Sequence, residues 1–164
     1  MADKYAVIRT DNLSGTDQRA DLLSVRVYND EGEMIDAENG VIVKVGNLED
    51  GEREVYKATL ATNDDDLNEC AILAGVEVLY DEHQRNLDEY INEAGTAVRA
   101  YIPRNRNFFS LTAKGFDGNA PERWMTVGIG NNGKLTAGGT GFGKCVAIEK
   151  AGRYTYYVIQ IVKE

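Results

Sequence analysis

The chain is poor in the residues that most enzyme and metal sites use. Its 164 residues include one histidine, two cysteines, two prolines and one tryptophan. Cys70 and Cys145 stand far apart without a Cys-x-x-Cys motif, so we expect two small buried hydrophobes and not a zinc or redox site. His83 lies among charged residues, which favours an exposed position over a general base. The inventory therefore predicts no catalytic residue, no metal and no cofactor.

Excess positive charge and long apolar runs are also absent. The formal net charge is -9, and a nucleic acid or an anionic membrane would repel such a surface on average. No segment has the length and hydrophobicity of a membrane span or of a signal peptide, so we expect synthesis in a reducing cytoplasm. With 43% hydrophobic and 27% charged residues, the composition is typical of a globular domain.

What the sequence does contain is a series of short strand patterns, of which residues 143–163 form the strongest. Two runs rich in β-branched and aromatic residues flank Lys150, Ala151 and Gly152, and they predict a β-hairpin. The second run is apolar on both faces, with Tyr154 and Tyr156 on one face and Ile159 on the other. One face should line the core, and the other should need a second sheet or a partner chain.

The rest of the chain predicts one domain built around this hairpin. Strand-like segments separated by turns recur from residue 21 to residue 164, including a segment at residues 76–80, and residues 81–92 form the one plausible helix. Residues 1–20 contain a short strand pattern, residues 5–9, followed by a polar stretch, and they read as an N-terminal arm. We therefore expect a mainly β fold, a small barrel or β-tulip-like sandwich of short antiparallel strands with one or two short helices.

Three motifs that resemble ligand sites have simpler explanations. Residues 128–133 match the dinucleotide pattern G-x-G-x-x-G, and residues 138–144 match most of a Walker A loop. Neither is followed by a helix pattern, which phosphate binding would require, so turns and a glycine loop are favoured. Asp64, Asp65 and Asp66 lack the spacing and the glycine of a calcium loop and predict a solvated loop.

Trp124 is the residue most open to two interpretations. With Pro121 and Arg123 it either anchors a loop or belongs to an aromatic–arginine patch at a protein interface, where such residues are enriched. The arginines around Pro103, which are Arg99, Arg104 and Arg106, either pair with carboxylates of a partner or with those of this chain.

The overall pattern resembles a family of small capsid decoration (head-stabilising) proteins of tailed phages and prophages, mostly of Gram-positive hosts. The stretches that carry the resemblance begin with Lys4-Tyr5-Ala6-Val7-Ile8-Arg9-Thr10-Asp11-Asn12 and continue through residues 39–46, 52–56, 77–82, 92–95, 99–101 and 143–162. They span nearly the whole chain, and none is a catalytic signature.

The resemblance implies a non-enzymatic virion protein that binds the major capsid protein on the outer surface of the phage head, often as a homotrimer. It also implies that the N-terminal strand adds to the shell protein. The resemblance supplies no binding residues. The chain's own patterns place the expected partner interface on the N-terminal strand, the tryptophan loop and the extra apolar face of the hairpin, at Tyr5, Val7, Arg9, Trp124, Tyr154 and Tyr156. Two alternatives stay open: a carbohydrate- or host-binding module with loops around Trp124 and Phe142, and a nucleotide enzyme acting through residues 138–144.

Overall fold

The fold is mainly β, as the sequence predicts. The computed structural model describes residues 4–10, 21–81, 83 and 86–162. Within these ranges ten strands are joined by turns and three single 3₁₀ turns. The strands are β1 (Leu22–Tyr28), β2 (Ile42–Leu48), β3 (Val55–Leu60), β4 (Cys70–Leu73), β5 (Val98–Tyr101), β6 (Phe108–Leu111), β7 (Thr126–Ile129), β8 (Leu135–Ala137), β9 (Gly143–Ala151) and β10 (Tyr154–Ile161).

The first five strands form a closed barrel in the order β1-β3-β2-β4-β5. β5 returns to β1, with Leu23 opposite Ala100, and this pairing closes the barrel. Every contact is antiparallel except that between β1 and β3, which is parallel and departs from the expected all-antiparallel arrangement. The interior is filled by small and branched side chains, among them Val25, Val43 and Leu73.

The last five strands form a second sheet in the order β6-β10-β9-β7-β8. Its centre is the expected hairpin, but the loop is Gly152 and Arg153 and not residues 150–152, because β9 extends to Ala151, which pairs with Tyr154. Gly152 has a φ of 62°, which suits the first central position of a two-residue hairpin turn. A bulge between Val158 and Ile159 adjusts the register further along.

The main core lies between the barrel wall and this sheet. Side chains alternate along β2, so that Ile42 joins the main core while Val43 points into the barrel. The same alternation on β4 leaves all four of its residues buried. Phe109 and Phe142 meet edge to face in the main core, with ring centroids 6.0 Å apart. Both faces of β4 are therefore covered, as are those of β10.

Two predicted elements are not formed. The helix expected over residues 81–92 is reduced to a 3₁₀ turn, Leu87–Glu89, after which Tyr90 is extended; residues 82, 84 and 85 lie outside the described part. Residues 76–80 belong to no strand. Among the described residues, no helix is long and apolar enough to cross a membrane.

Candidate functional site

Residues 4–10, expected to form part of a separate arm, pack against the body instead. They run antiparallel to β6, where Ile8 bridges Leu111 and the Arg9 amide donates to the Ser110 carbonyl at 2.9 Å. The Val7 amide donates to the Thr112 hydroxyl at 3.0 Å. The outer edge of β6 is therefore filled from within the chain. Residues 11–20 of the predicted arm lie outside the described residues.

Asp88 fastens this N-terminal segment to the hairpin. Its side chain is 6% exposed and accepts hydrogen bonds from the Tyr154 hydroxyl at 2.8 Å and from Arg153 at 2.9 Å. The Lys4 amide donates to the same carboxylate at 3.3 Å. Burial alone would raise the pKa of Asp88, but the bonds from Tyr154 and Lys4 and the charge of Arg153 outweigh it and lower that pKa.

Three of the residues predicted for the interface are therefore buried inside the chain. Val7, Tyr154 and Tyr156 form a small cluster and are 2%, 8% and 5% exposed. The apolar outer face of β10, which was expected to need a partner, is covered at Tyr154 and Tyr156 by the N-terminal segment. Tyr5 and Arg9 are only partly buried, and the Arg9 guanidinium lies 5.5 Å from the Tyr156 ring centroid.

Trp124 is the predicted interface residue that the structure leaves open. This residue is 57% exposed. Its backbone has a φ of 72°, which is uncommon for a residue other than glycine. The Arg123 guanidinium lies 4.7 Å and the Lys144 ammonium 5.6 Å from the ring centroid. The Trp124 amide donates to the Cys145 carbonyl at 2.7 Å, which fixes the loop on β9. The indole thus lies between two cations on a loop that is hydrogen-bonded to β9.

The glycine-rich region has no nucleotide-binding geometry. Residues 138–142 are turns and bends, and residue 143 opens strand β9 where a phosphate site would require a helix. Phe142 is 1% exposed and belongs to the main core. It is therefore unavailable to the carbohydrate site that was considered for Trp124 and Phe142.

The polar residues considered as ligands have structural partners. Asp66 accepts from the Asn68 amide, and Asp65 accepts from the Thr62 amide at 2.8 Å and from Lys44 at 2.9 Å. Arg104 forms an ion pair with buried Asp21 at 2.8 Å, so this arginine serves the chain's own fold. No group of three potential metal ligands occurs in the part of the chain that the structure describes.

The two cysteines and the histidine behave as the sequence predicts. Cys70 and Cys145 are buried, and both are free thiols. Burial raises the pKa of the Cys145 thiol, which disfavours the reactive thiolate. His83 is exposed.

The sequence prediction missed a second exposed surface at residues 76–80. Val76, Val78 and Tyr80 are 55%, 47% and 93% exposed, although their spacing resembles a half-buried strand. Residues 77 and 79 between them are partly buried. A groove of about 430 Å³ lies beside this segment and is lined by Lys4, Tyr5, residues 78–81, residues 89–93 and Thr96. This segment differs from a core strand only because no neighbouring strand is free to pair with it. The sequence alone does not show that difference.

A buried polar network anchors the start of this segment. Asn39 exchanges two hydrogen bonds with the backbone of Gly75, at 2.8 and 3.0 Å, and Asn92 donates to Asn39 at 2.9 Å. The Tyr90 hydroxyl donates to Asn92. A Cβ on residue 75 would lie 2.2 Å from the Asn92 side-chain oxygen, so only glycine fits here.

Comparisons with known proteins name no family. No protein-family model matches the chain, and neither a curated protein nor a solved structure matches it significantly.

Proposed function

We propose that the chain is a non-enzymatic capsid decoration subunit, which binds the major capsid protein on the outer surface of a phage head, as a homotrimer, and stabilises the shell. The resemblance to head-stabilising proteins suggests this role. The observation that carries it is the exposed indole of Trp124, in the loop that precedes β7 and is hydrogen-bonded to β9, between Arg123 and Lys144.

Two properties of Trp124 favour a binding role. A residue other than glycine at positive φ costs of order 1 kcal/mol, and such strain concentrates at functional positions. Tryptophan and arginine are also the residues most enriched among those that dominate interface energies. A loop-anchoring tryptophan would bury its ring, whereas this ring remains largely exposed.

The charge distribution fits an acidic patch on the shell as the counterpart of Trp124. Arg123 and Lys144 place two positive charges at the indole of a protein whose net charge is -9. Opposite charges across an interface fix its register and speed association. Because each copy would bind the assembled shell and not its separated subunits, binding would stabilise the shell by mass action.

Co-sedimentation with purified empty heads tests this function. The wild-type protein should pellet with the heads, and Trp124→Ala should weaken binding by about tenfold or more. Phe108→Ala, at a residue of β6 that is 40% exposed, removes another exposed aromatic ring and should bind as the wild type does. Failure of the wild-type protein to bind heads would refute the function, and full binding by Trp124→Ala would refute the role of the indole.

A carbohydrate- or host-binding module is the second candidate, and the same exposed indole favours it. Sugars stack on aromatic faces, but here Arg123 and Lys144 already lie near the ring. With Phe142 buried, the indole has no second aromatic wall from the residues expected there. Binding on a glycan array that Trp124→Ala abolishes, without head binding, would favour this candidate.

A further inference from the structure

Residues 76–80 expose apolar side chains and partly bury a charged one, which reverses the usual arrangement. In an ordinary surface segment the apolar side chains face the protein and the charged ones face water. Here Val76, Val78 and Tyr80 face solvent, while Glu77 is partly buried. Three apolar side chains that point outward at alternate positions form a continuous stripe, which is typical of a surface that a partner covers.

The stripe is fixed by the fold. Gly75 is held at its base by Asn39, and the Val78 amide donates to the Val76 carbonyl at 2.9 Å. On the other side of the groove, the Asn92 amide donates a hydrogen bond to the Ala37 carbonyl, and the Asn92 carbonyl accepts one from the Ala37 amide. The start of the stripe and the far wall of the groove are therefore held in place, which reduces the entropy lost on binding there.

The groove beside the stripe is acidic. Among the described residues that line it, Asp81, Glu89 and Glu93 are acidic and Lys4 is the one cation. A ligand that lies along the stripe and into the groove would gain from Lys or Arg side chains at its margin. An acidic segment, a nucleic acid or an anionic membrane would be repelled.

We infer that residues 76–80 and the adjoining groove are a docking site for an extended segment of another protein, with apolar side chains against Val76, Val78 and Tyr80 and a basic side chain near Asp81 and Glu93. A second copy of this chain that docked by the same face would set these carboxylates against their own equivalents, as a two-fold contact requires. A basic segment of a different chain therefore fits the acidic groove, whereas a two-fold contact between copies does not.

A peptide screen tests this site without any capsid. Random peptides would be selected for binding to the immobilised full-length protein, and the enriched sequences would be synthesised and their affinity measured by fluorescence anisotropy. The enriched peptides should combine apolar residues with Lys or Arg. Their binding should weaken as salt is raised, because exposed charge pairs are screened.

Three variants locate the binding. Val78→Glu places a charge in the stripe, and Glu93→Lys reverses a charge of the groove; each should weaken peptide binding by about tenfold or more, which corresponds to ~1.4 kcal/mol. Val162→Glu is the matched control, because Val162 is similarly exposed, at 44%, at the other end of the second sheet. It should bind like the wild type, and all three should keep the wild-type melting temperature.

The peptide screen and the head-binding assay test different surfaces and can fail independently. Enrichment of no peptide, enrichment of acidic peptides, or equal binding by Val78→Glu and wild type would overturn the docking site, whatever the heads bind. Analytical ultracentrifugation adds one more outcome: if the wild type self-associates and Val78→Glu does not, the stripe is a contact between copies and the inference is wrong. Loss of head binding in Trp124→Ala alone would leave the peptide result unchanged.

Discussion

Residues 4–10 and residues 76–80 are both short apolar segments, but they have opposite positions in the fold. Both are rich in β-branched and aromatic residues, a composition that predicts a strand. Residues 4–10 lie against β6, with Ala6, Val7 and Ile8 each 2% exposed. Residues 76–80 pair with no strand, and their outward apolar side chains stay in solvent. The segment expected to dock on a partner thus packs inside the chain, and the one expected to be a strand belongs to no sheet and is exposed.

The difference lies in the edges that each segment can reach. β6 is the edge strand of the second sheet and offers unpaired backbone groups to residues 4–10. β4, which precedes residues 76–80, is already paired with β2 and β5 in a closed barrel. A barrel has no free edge, so the chain leaving it finds no strand to extend. Local sequence predicts a strand, whereas sheet topology decides whether a partner for it exists.

Truncating one side chain in each segment should give the largest contrast. Ile8→Ala should lower the free energy of unfolding by about 3 kcal/mol, because Ile8 is buried in the main core and its loss leaves a cavity. Val78→Ala should change that free energy by less than about 0.5 kcal/mol, because the side chain is already in water. Urea denaturation followed by tryptophan fluorescence measures both. Equal effects would mean that residues 4–10 are not part of the folded body in solution.

Asp88→Asn tests how the N-terminal segment is fastened and should cost about 2 kcal/mol. The amide keeps the shape of the carboxylate but loses its charge and places a donor beside the donors Arg153 and Lys4. Arg153→Gln is the control: because Arg153 is 43% exposed, removing its charge should cost less than about 1 kcal/mol. If the arginine variant proved the more damaging, the carboxylate would not be the centre of this contact.

The decrease in folding stability at acid pH should depend on the same carboxylate, that of Asp88. Its pKa is lowered on folding, so its contribution is present above the ordinary carboxyl value of 3.8 and is lost as the pH falls through the lower, folded value. Asp65, whose pKa is also lowered, acts in the same direction. The difference in unfolding free energy between wild type and Asp88→Asn should therefore narrow below pH 3.8. A constant difference between neutral pH and strongly acid pH would contradict this assignment.

The sequence predicted the closing hairpin and the mainly β fold because these depend on local patterns. Tyr156 and Ile159 lie in different apolar clusters on the two faces of β10, as alternation predicts, and Gly152 supplies the turn. The fate of residues 154 and 156 could not be predicted, because the cover comes from Val7, far away in the chain. The helix predicted over residues 81–92 is not formed for a similar reason: Asp88 is buried by contacts with Arg153 and Tyr154, which lie far away in the chain. Trp124 was identified from composition, but its positive φ has no local signal.

The smallest expected effect concerns the backbone conformation of Trp124. This exposed residue adds a third position to the comparison of residues 4–10 with residues 76–80. At a φ of 72° a glycine is less strained than an alanine, so Trp124→Gly should be more stable than Trp124→Ala by about 1 kcal/mol. Exposed Thr126 in β7 is the control, and there alanine should be the more stable by about 0.5–1 kcal/mol. Chemical denaturation of the four variants measures the reversal. If alanine were the more stable at both positions, the loop would not hold residue 124 in this strained conformation. If Trp124→Gly is more stable than Trp124→Ala and yet does not bind heads, the protein keeps the strained conformation because that conformation presents the indole.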